Sequence, residues 1–422
     1  MEMFISLRGI LILLLMTAGF TMTLFRPMIG LIIIFTLTIL RAGFLYAWFP
    51  TIYQDMHLVQ FSILLTLLAW IIHHKKYPIR INLDLLILFL FFCVICLSRV
   101  LNNTPMLDNK VPDEFLRVMF VTFLTAQILR TPKDMRKILW SIVGMYLFLA
   151  LRAYWRYKTE YWDIALPDYV WVNRNGFANS LAFVFPIAYF LSTATKNKIL
   201  KFFGLSTALW CIIGVILTSS RGGFLALMVS LFFVFIHEKR KTMLIFIGLV
   251  IGLTIVPRLS EKYVDRIQSI KTYEEDASAM GRVATNYAAI NMFKEKPLLG
   301  VGAGNYNNLV YSYVPPEYSK WVDEGKSIHN ILMQVLSETG IIGFVLFCWL
   351  ILRSLLNTST RHIRGNAELV NLAYMLRIAM ISIIVGEQFG QGAYFGNIYT
   401  VLPFIIALKL NPENRKPSIA VK

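Results

Sequence analysis

Charge is scarce in this 422-residue chain, and acidic charge scarcer still: 15% of residues are charged, with 24 Asp and Glu against 41 Lys and Arg. There are only four cysteines and six histidines. Cys93, Cys96, Cys211 and Cys348 all fall inside apolar runs, which excludes a disulfide-stapled secreted scaffold. Cys93 and Cys96 have a redox or zinc spacing, but no second Cys/His pair completes a site, so all four read as buried hydrophobes. Five histidines (His57, His73, His74, His237 and His362) sit in short loops or at the ends of apolar runs, and only His329 closes the long polar stretch. A histidine-rich zinc site is therefore not expected, nor any other metal or cofactor. What fills the chain instead is apolar: 57% hydrophobic residues and a mean hydropathy of +0.61, far from a soluble globular domain.

Apolar runs recur from end to end, which predicts an all-α, polytopic transmembrane helix bundle. They fall near 9–25, 28–48, 57–72, 83–100, 115–129, 138–154, 177–195, 199–218, 222–237, 243–256, 331–352, 368–385 and 397–409. Loop parity favours about twelve spans, with 9–48 counted once too often. The first run lacks a small-residue cleavage site and reads as a retained helix. Four regions follow: 1–156 and 157–256 as N-terminal and central transmembrane helices, 257–330 as a large helical loop, and 331–422 as C-terminal transmembrane helices.

The net charge of +17 does not point to nucleic acid, because of where it lies. Between residues 258 and 326 nine basic and nine acidic side chains cancel. The excess sits in short loops, 73–80, 130–137, 196–201, 239–241 and 353–364, and in the tail, a positive-inside pattern that assigns them to the cytoplasm. Loops 102–114, 157–175, 219–221, 256–329 and 386–396 then lie on the opposite, outer face.

Three motifs begin on that face. Ser219-Ser220-Arg221-Gly222-Gly223 interrupts a long apolar run; small residues explain the turn, but an arginine near membrane depth is costly unless paired. Its planar, permanently charged fork suits a diphosphate; pairing with Glu338 is the structural alternative. In the long loop, Arg282 opens a helix-compatible stretch that Pro297 stops, and Gly300, Gly302 and Gly304 form a turn bringing Asn305 and Tyr306 towards the motifs. That turn lacks the preceding strand and the lysine of a nucleotide loop. The loop's acidic residues solvate it. Ser327-Ile328-His329-Asn330 then starts the next span, with Ser327 the expected N-cap and His329 in the first turn. Gly340 and Gly343 lie deeper, where another helix can approach closely. Earlier, Asn173-Arg174-Asn175 closes an aromatic-rich loop, and a helix cap and a substrate role both stay open for it.

His329 and Asn330, nine residues, Gly340, two residues and Gly343 resemble the signature of the O-antigen ligase and O-antigen polymerase superfamily of bacterial envelopes. Gly281-Arg282 with Pro297 to Tyr306 resembles its long periplasmic loop, and the Arg221 stretch its earlier arginine motif, in the same order. The resemblance implies a metal-independent, inverting glycosyltransferase of the bacterial inner membrane. Its donor would be a glycan on undecaprenyl diphosphate and its acceptor a hydroxyl of lipid A-core, with a glycan chain or a protein serine as the polymerase and O-oligosaccharyltransferase alternatives. His329 would be the general base and Arg221 and Arg282 the diphosphate ligands, with Asn173, Arg174, Asn175, Asn305 and Asn330 as further substrate contacts. A lipid-linked oligosaccharide flippase is the rival of another class; it would need charges lining a central path, and few lie within the spans.

Overall fold

The computed structural model describes residues 7–40, 57–104, 110–159, 174–238, 277–359 and 367–411. Among them there is no strand. The helices are α1 (Leu7–Phe25), α2 (Pro27–Leu40), α3 (Leu58–Ile72), α4 (Leu83–Leu101), α5 (Val111–Ile128), α6 (Pro132–Thr159), α7 (Arg174–Ala194), α8 (Lys198–Leu217), α9 (Arg221–His237), α10 (Ala277–Glu295), α11 (Tyr306–Tyr313), α12 (Ile331–Asn357), α13 (Ala367–Glu387) and α14 (Ile398–Leu410), with a 3₁₀ turn at Pro316–Trp321. Six of them, α4, α6, α7, α8, α12 and α13, are long and apolar enough to cross a membrane; α2, α3, α9, α14 and the second half of α1 are shorter apolar helices. The expected spans thus reappear as helices with ends shifted by a few residues. The run at 243–256 and the second half of 28–48 lie outside the described residues.

Backbone polar groups have no water to bind in lipid, so each apolar run closes its hydrogen bonds on itself as a helix. The bundle is centred on α7, buried on nearly every face from Phe177 to Ser192, with α6, α8, α9 and α13 packed around it. On the periphery, α3 and α4 turn Leu64, Leu68, Ile71, Leu86 and Phe89 outwards, as lipid-facing surfaces do. Cys211 is buried as expected, but Cys93 is exposed. It lines an apolar lateral groove between α4 and α12 with Leu97, Ile341 and Trp349.

Helix ends are tied together at one end of the bundle. Arg80 donates to the Leu410 carbonyl at 2.9 Å and to the Ala126 carbonyl at 2.5 Å, at the C-terminal ends of α14 and α5, where the helix dipole favours a cation. Asp84, almost wholly buried at the start of α4, accepts from Arg353 Nε at 2.5 Å and from Asn357 Nδ2 at 3.1 Å, both on α12. Removing one partner of a buried pair strands the other charge. We expect Arg353→Met to cost about 3 kcal/mol, read as a lower melting midpoint of the solubilised protein, while the other end of the molecule keeps its geometry.

The long loop forms a small layer of its own at that other end. Ala284, Ala288 and Met292 of α10 pack with Val301, Tyr306, Val310, Val322 and Ile328. This second core anchors α10 against the head of α12.

Candidate functional site

The apolar run from 199 to 236 is broken at Ser219, whose φ of 51° lies in the left-handed region and reverses the chain. Ser220 then caps α9: its Oγ accepts from the Gly223 amide at 3.2 Å and donates to Asn175 Oδ1 at 2.8 Å. Arg221 is therefore the first residue of α9 and is exposed, at a helix end that favours anions. A Cβ at Gly223 would overlap that of Ala178, so α9 lies hard against α7. The same approach puts Arg174 and Asn175, at the start of α7, beside this turn. Asn173 lies outside the described residues.

Arg282 stands in the second turn of α10, a helix that starts before it and ends at Glu295, just short of Pro297. Its guanidinium lies over the ring of Phe389, 5.5 Å from the centroid. Phe389 also meets the Arg221 turn: a Cβ on Gly222 would sit 2.5 Å from Phe389 Cβ. One ring from the loop between α13 and α14 therefore joins the two arginine motifs. The sequence reading missed Phe389. The signal was an aromatic in a glycine-rich stretch, Gly386 to Gly396, whose one charge-bearing residue is Glu387.

His329 precedes α12 rather than opening it. The N-cap is Asn330, whose Oδ1 accepts from the amides of Leu332 at 3.1 Å and Met333 at 3.2 Å. Ser327, the expected cap, instead accepts from Asn307 Nδ2 of α11 at 3.1 Å. The imidazole is mostly buried, and its Nδ1 has no hydrogen-bond partner among the described residues. Burial first, then the positive charges of Arg282 and Lys326, pull its pKa down from the ordinary 6.5 to about 4. Lys326 is thus a further cation of the site, missed because it sits in a loop of mixed charge. The ring is neutral at physiological pH, as a general base must be.

Asn305 is held locally: its Nδ2 donates to the Val301 carbonyl at 3.2 Å and its Oδ1 accepts from Asn308. Its turn, however, is built into α12. At Gly340 the backbone leaves the helix, with φ 63° and ψ −165°. The amides of Ile341 and Ile342 turn to the carbonyls of Pro297 (2.8 Å) and Leu298 (3.4 Å). The Ser337 and Glu338 carbonyls that they would have used accept from Val301 (2.9 Å) and Gly302 (3.1 Å). Four backbone groups freed by the break are thereby satisfied by the loop, which irregular backbone at membrane depth requires. The close approach expected at Gly340 is made by this loop rather than by another helix; Gly343 does face α4, through Val94. From α4, wholly buried Arg99 donates to the Ala303 carbonyl at 2.6 Å and Ser98 Oγ to the Leu299 carbonyl at 2.7 Å.

The arrangement gathers permanently charged donors, a helix N-terminus and a neutral imidazole at one end of an apolar bundle. It can hold an anion of several charges beside a proton acceptor. Residues 206–348 match the family model described as O-antigen ligase. The likeness to the O-antigen ligase superfamily rests on this segment. It runs from α8 into α12 and contains Arg221, Arg282, Asn305, His329 and Asn330, whereas Arg174, Asn175 and Phe389 lie outside it. A comparison with curated proteins gives no match.

Proposed function

We propose that this protein moves an O-antigen-like glycan from undecaprenyl diphosphate to a hydroxyl of lipid A-core, at the periplasmic face of the bacterial inner membrane. The observation that carries the reading is the meeting of both arginine motifs on Phe389, with Arg282 also bearing on His329. A lipid diphosphate keeps its tail in the bilayer and presents its charges at the membrane surface, where these groups lie. The acceptor oxygen attacks the anomeric carbon opposite the phosphate. The bond to the phosphate oxygen breaks, its electron pair leaves with the diphosphate, and His329 takes the hydroxyl proton. Arg221, Arg282 and the α9 N-terminus stabilise the departing charge. Attack opposite the leaving group inverts the centre, and charge stabilisation comes from arginine rather than metal. Polymerase and protein O-oligosaccharyltransferase readings share this chemistry and differ in acceptor.

Loss of the gene followed by gel analysis of surface glycan separates them. Unligated lipid-linked donor accumulates for a ligase and single-repeat units for a polymerase; an unchanged glycan profile would overturn the reading. Within it, Arg221→Lys is expected to cost far more than a charge-preserving change, because an ammonium cannot bond two phosphate oxygens in one plane. Full transfer by the lysine variant at normal abundance would remove the diphosphate role.

A further inference from the structure

Glu338 sits about 10 Å along α12 from its first residue, Ile331, and is 1% exposed. Taking a carboxyl out of water is costly, and an apolar side chain of the same size would pack there without that cost. Its surroundings show what it holds. Oε1 accepts from the Tyr306 amide at 3.0 Å. The Tyr306 ring is buried, and its hydroxyl donates to the Thr285 carbonyl at 2.6 Å. Thr285 Oγ1 in turn donates to the Arg282 carbonyl at 3.0 Å. The carboxyl also takes the Gly304 amide and lies near the Gln334 side chain and the Tyr394 hydroxyl, its Oε2 and that hydroxyl making no hydrogen bond among the described residues. Tyr394 belongs to the loop that carries Phe389, on which Arg282 and Gly222 rest. The Glu338 carbonyl meanwhile accepts from Ser98 Oγ at 2.7 Å and the Gly302 amide at 3.1 Å, fixing the residue from α4 and the glycine turn.

We infer that Glu338 is a positioning residue: it locks the α10 helix of Arg282 and the glycine turn to the head of α12, and so sets where Arg282 stands relative to His329. Three chain segments that are separate in sequence converge on a single carboxyl. Glu338 acts on the site through Tyr306, whose amide it holds and whose hydroxyl reaches α10. The geometry stands without the transferase reading, and only the activity arm of the test rests on that reading.

The deciding variants are Tyr306→Phe, which deletes the hydroxyl that ties this junction to α10, and Glu338→Gln, which puts an NH2 donor in place of one carboxyl oxygen. Full-length protein with isotope-labelled histidine is titrated by NMR, the His329 signal being assigned by its loss in His329→Gln. The charged groups facing this ring are Arg282 from α10 and Lys326 from the preceding loop. Wild type should titrate near pH 4, and both variants should move towards the free value of about 6.5 as Arg282 withdraws. Arg353→Met, destabilising at the opposite end, should leave the midpoint alone. A wild-type midpoint in folded Tyr306→Phe, or an equal shift in Arg353→Met, overturns the inference; if Glu338→Gln does not fold, Tyr306→Phe decides alone. Transfer by both variants should fall about 10- to 100-fold in kcat, the scale of a small misplacement. A shifted titration in a protein with no transferase activity would leave the positioning role standing and remove the proposed function.

Discussion

Replacing His329 by alanine should lower transfer per molecule by roughly 10²–10⁴-fold, while the protein still folds and still binds its lipid-linked donor. Folding should survive because the α12 cap belongs to Asn330 and the second core is held by Ile328, Tyr306 and the α10 alanines. Donor binding should survive because the arginines supply it. The pH dependence carries the sharper signature. With the ring lowered to about 4 by burial, Arg282 and Lys326, it stays neutral and competent through the mildly acidic range. Activity should fall only as pH drops through about 4, not through 6.5. Bound diphosphate would neutralise Arg282 and raise the imidazole pKa, so the acid limb of kcat should lie above that of kcat/KM. The same depression makes a stability term. The unfolded ring takes its proton near 6.5 and the folded ring near 4, so this contribution is full above 6.5 and is lost as pH falls to about 4. A reconstituted assay normalised to folded protein decides the matter: wild-type turnover by His329→Ala, or an acid limb at 6.5 in kcat/KM, would remove the histidine from the chemistry.

The second large effect is on folding, at Gly340. Its φ of 63° with ψ −165° is a conformation nearly restricted to glycine, and a side chain there costs about 1–3 kcal/mol by itself. A Cβ would also overlap the Leu298 carbonyl group, which is backbone held by the Ile342 amide and cannot step aside. Gly300 faces the same seam from the other side, against the Glu338 backbone. We expect Gly340→Ala and Gly300→Ala to abolish accumulation of folded protein, since either one opens a ladder of four hydrogen bonds inside the membrane. Gly325 provides the internal comparison: its φ is 75°, but a Cβ there would meet nothing within 4 Å. Gly325→Ala should therefore show the conformational cost alone, as a modest drop in melting midpoint. If Gly340→Ala melts alongside Gly325→Ala, the seam between loop and helix is not what the fold depends on.

The bundle itself was readable before any coordinates. Runs such as 83–100 and 222–237 become Leu83–Leu101 and Arg221–His237 because a long apolar segment has one way to satisfy its backbone in lipid. The site was half readable. Arg221, Arg282 and His329 stand out as polar residues where an apolar or glycine-rich stretch begins, and all three fall at one end of the bundle. Lys326 and Phe389 carry no such mark, one lying among mixed charges and the other among glycines and aromatics. The cap at Asn330 was misassigned to Ser327 by three residues, because both side chains can cap and only the backbone decides which does.

Sequence alone determined what depends on local composition: where the helices run, and which residue types able to hold an anion and accept a proton stand at their ends. Tertiary structure alone decided what those residues touch. Glu338 reads in the sequence as a polar interruption of a span and stands in the fold at the junction of Tyr306, Gly304 and Tyr394. Gly340 reads as room for a neighbouring helix and is instead where a helix opens to take a loop into its hydrogen-bond ladder. The reason is range. Hydropathy and capping act over a few residues, whereas Arg282 and Phe389 are about a hundred residues apart in sequence and meet only because α7, α9 and α13 pack the intervening chain around them.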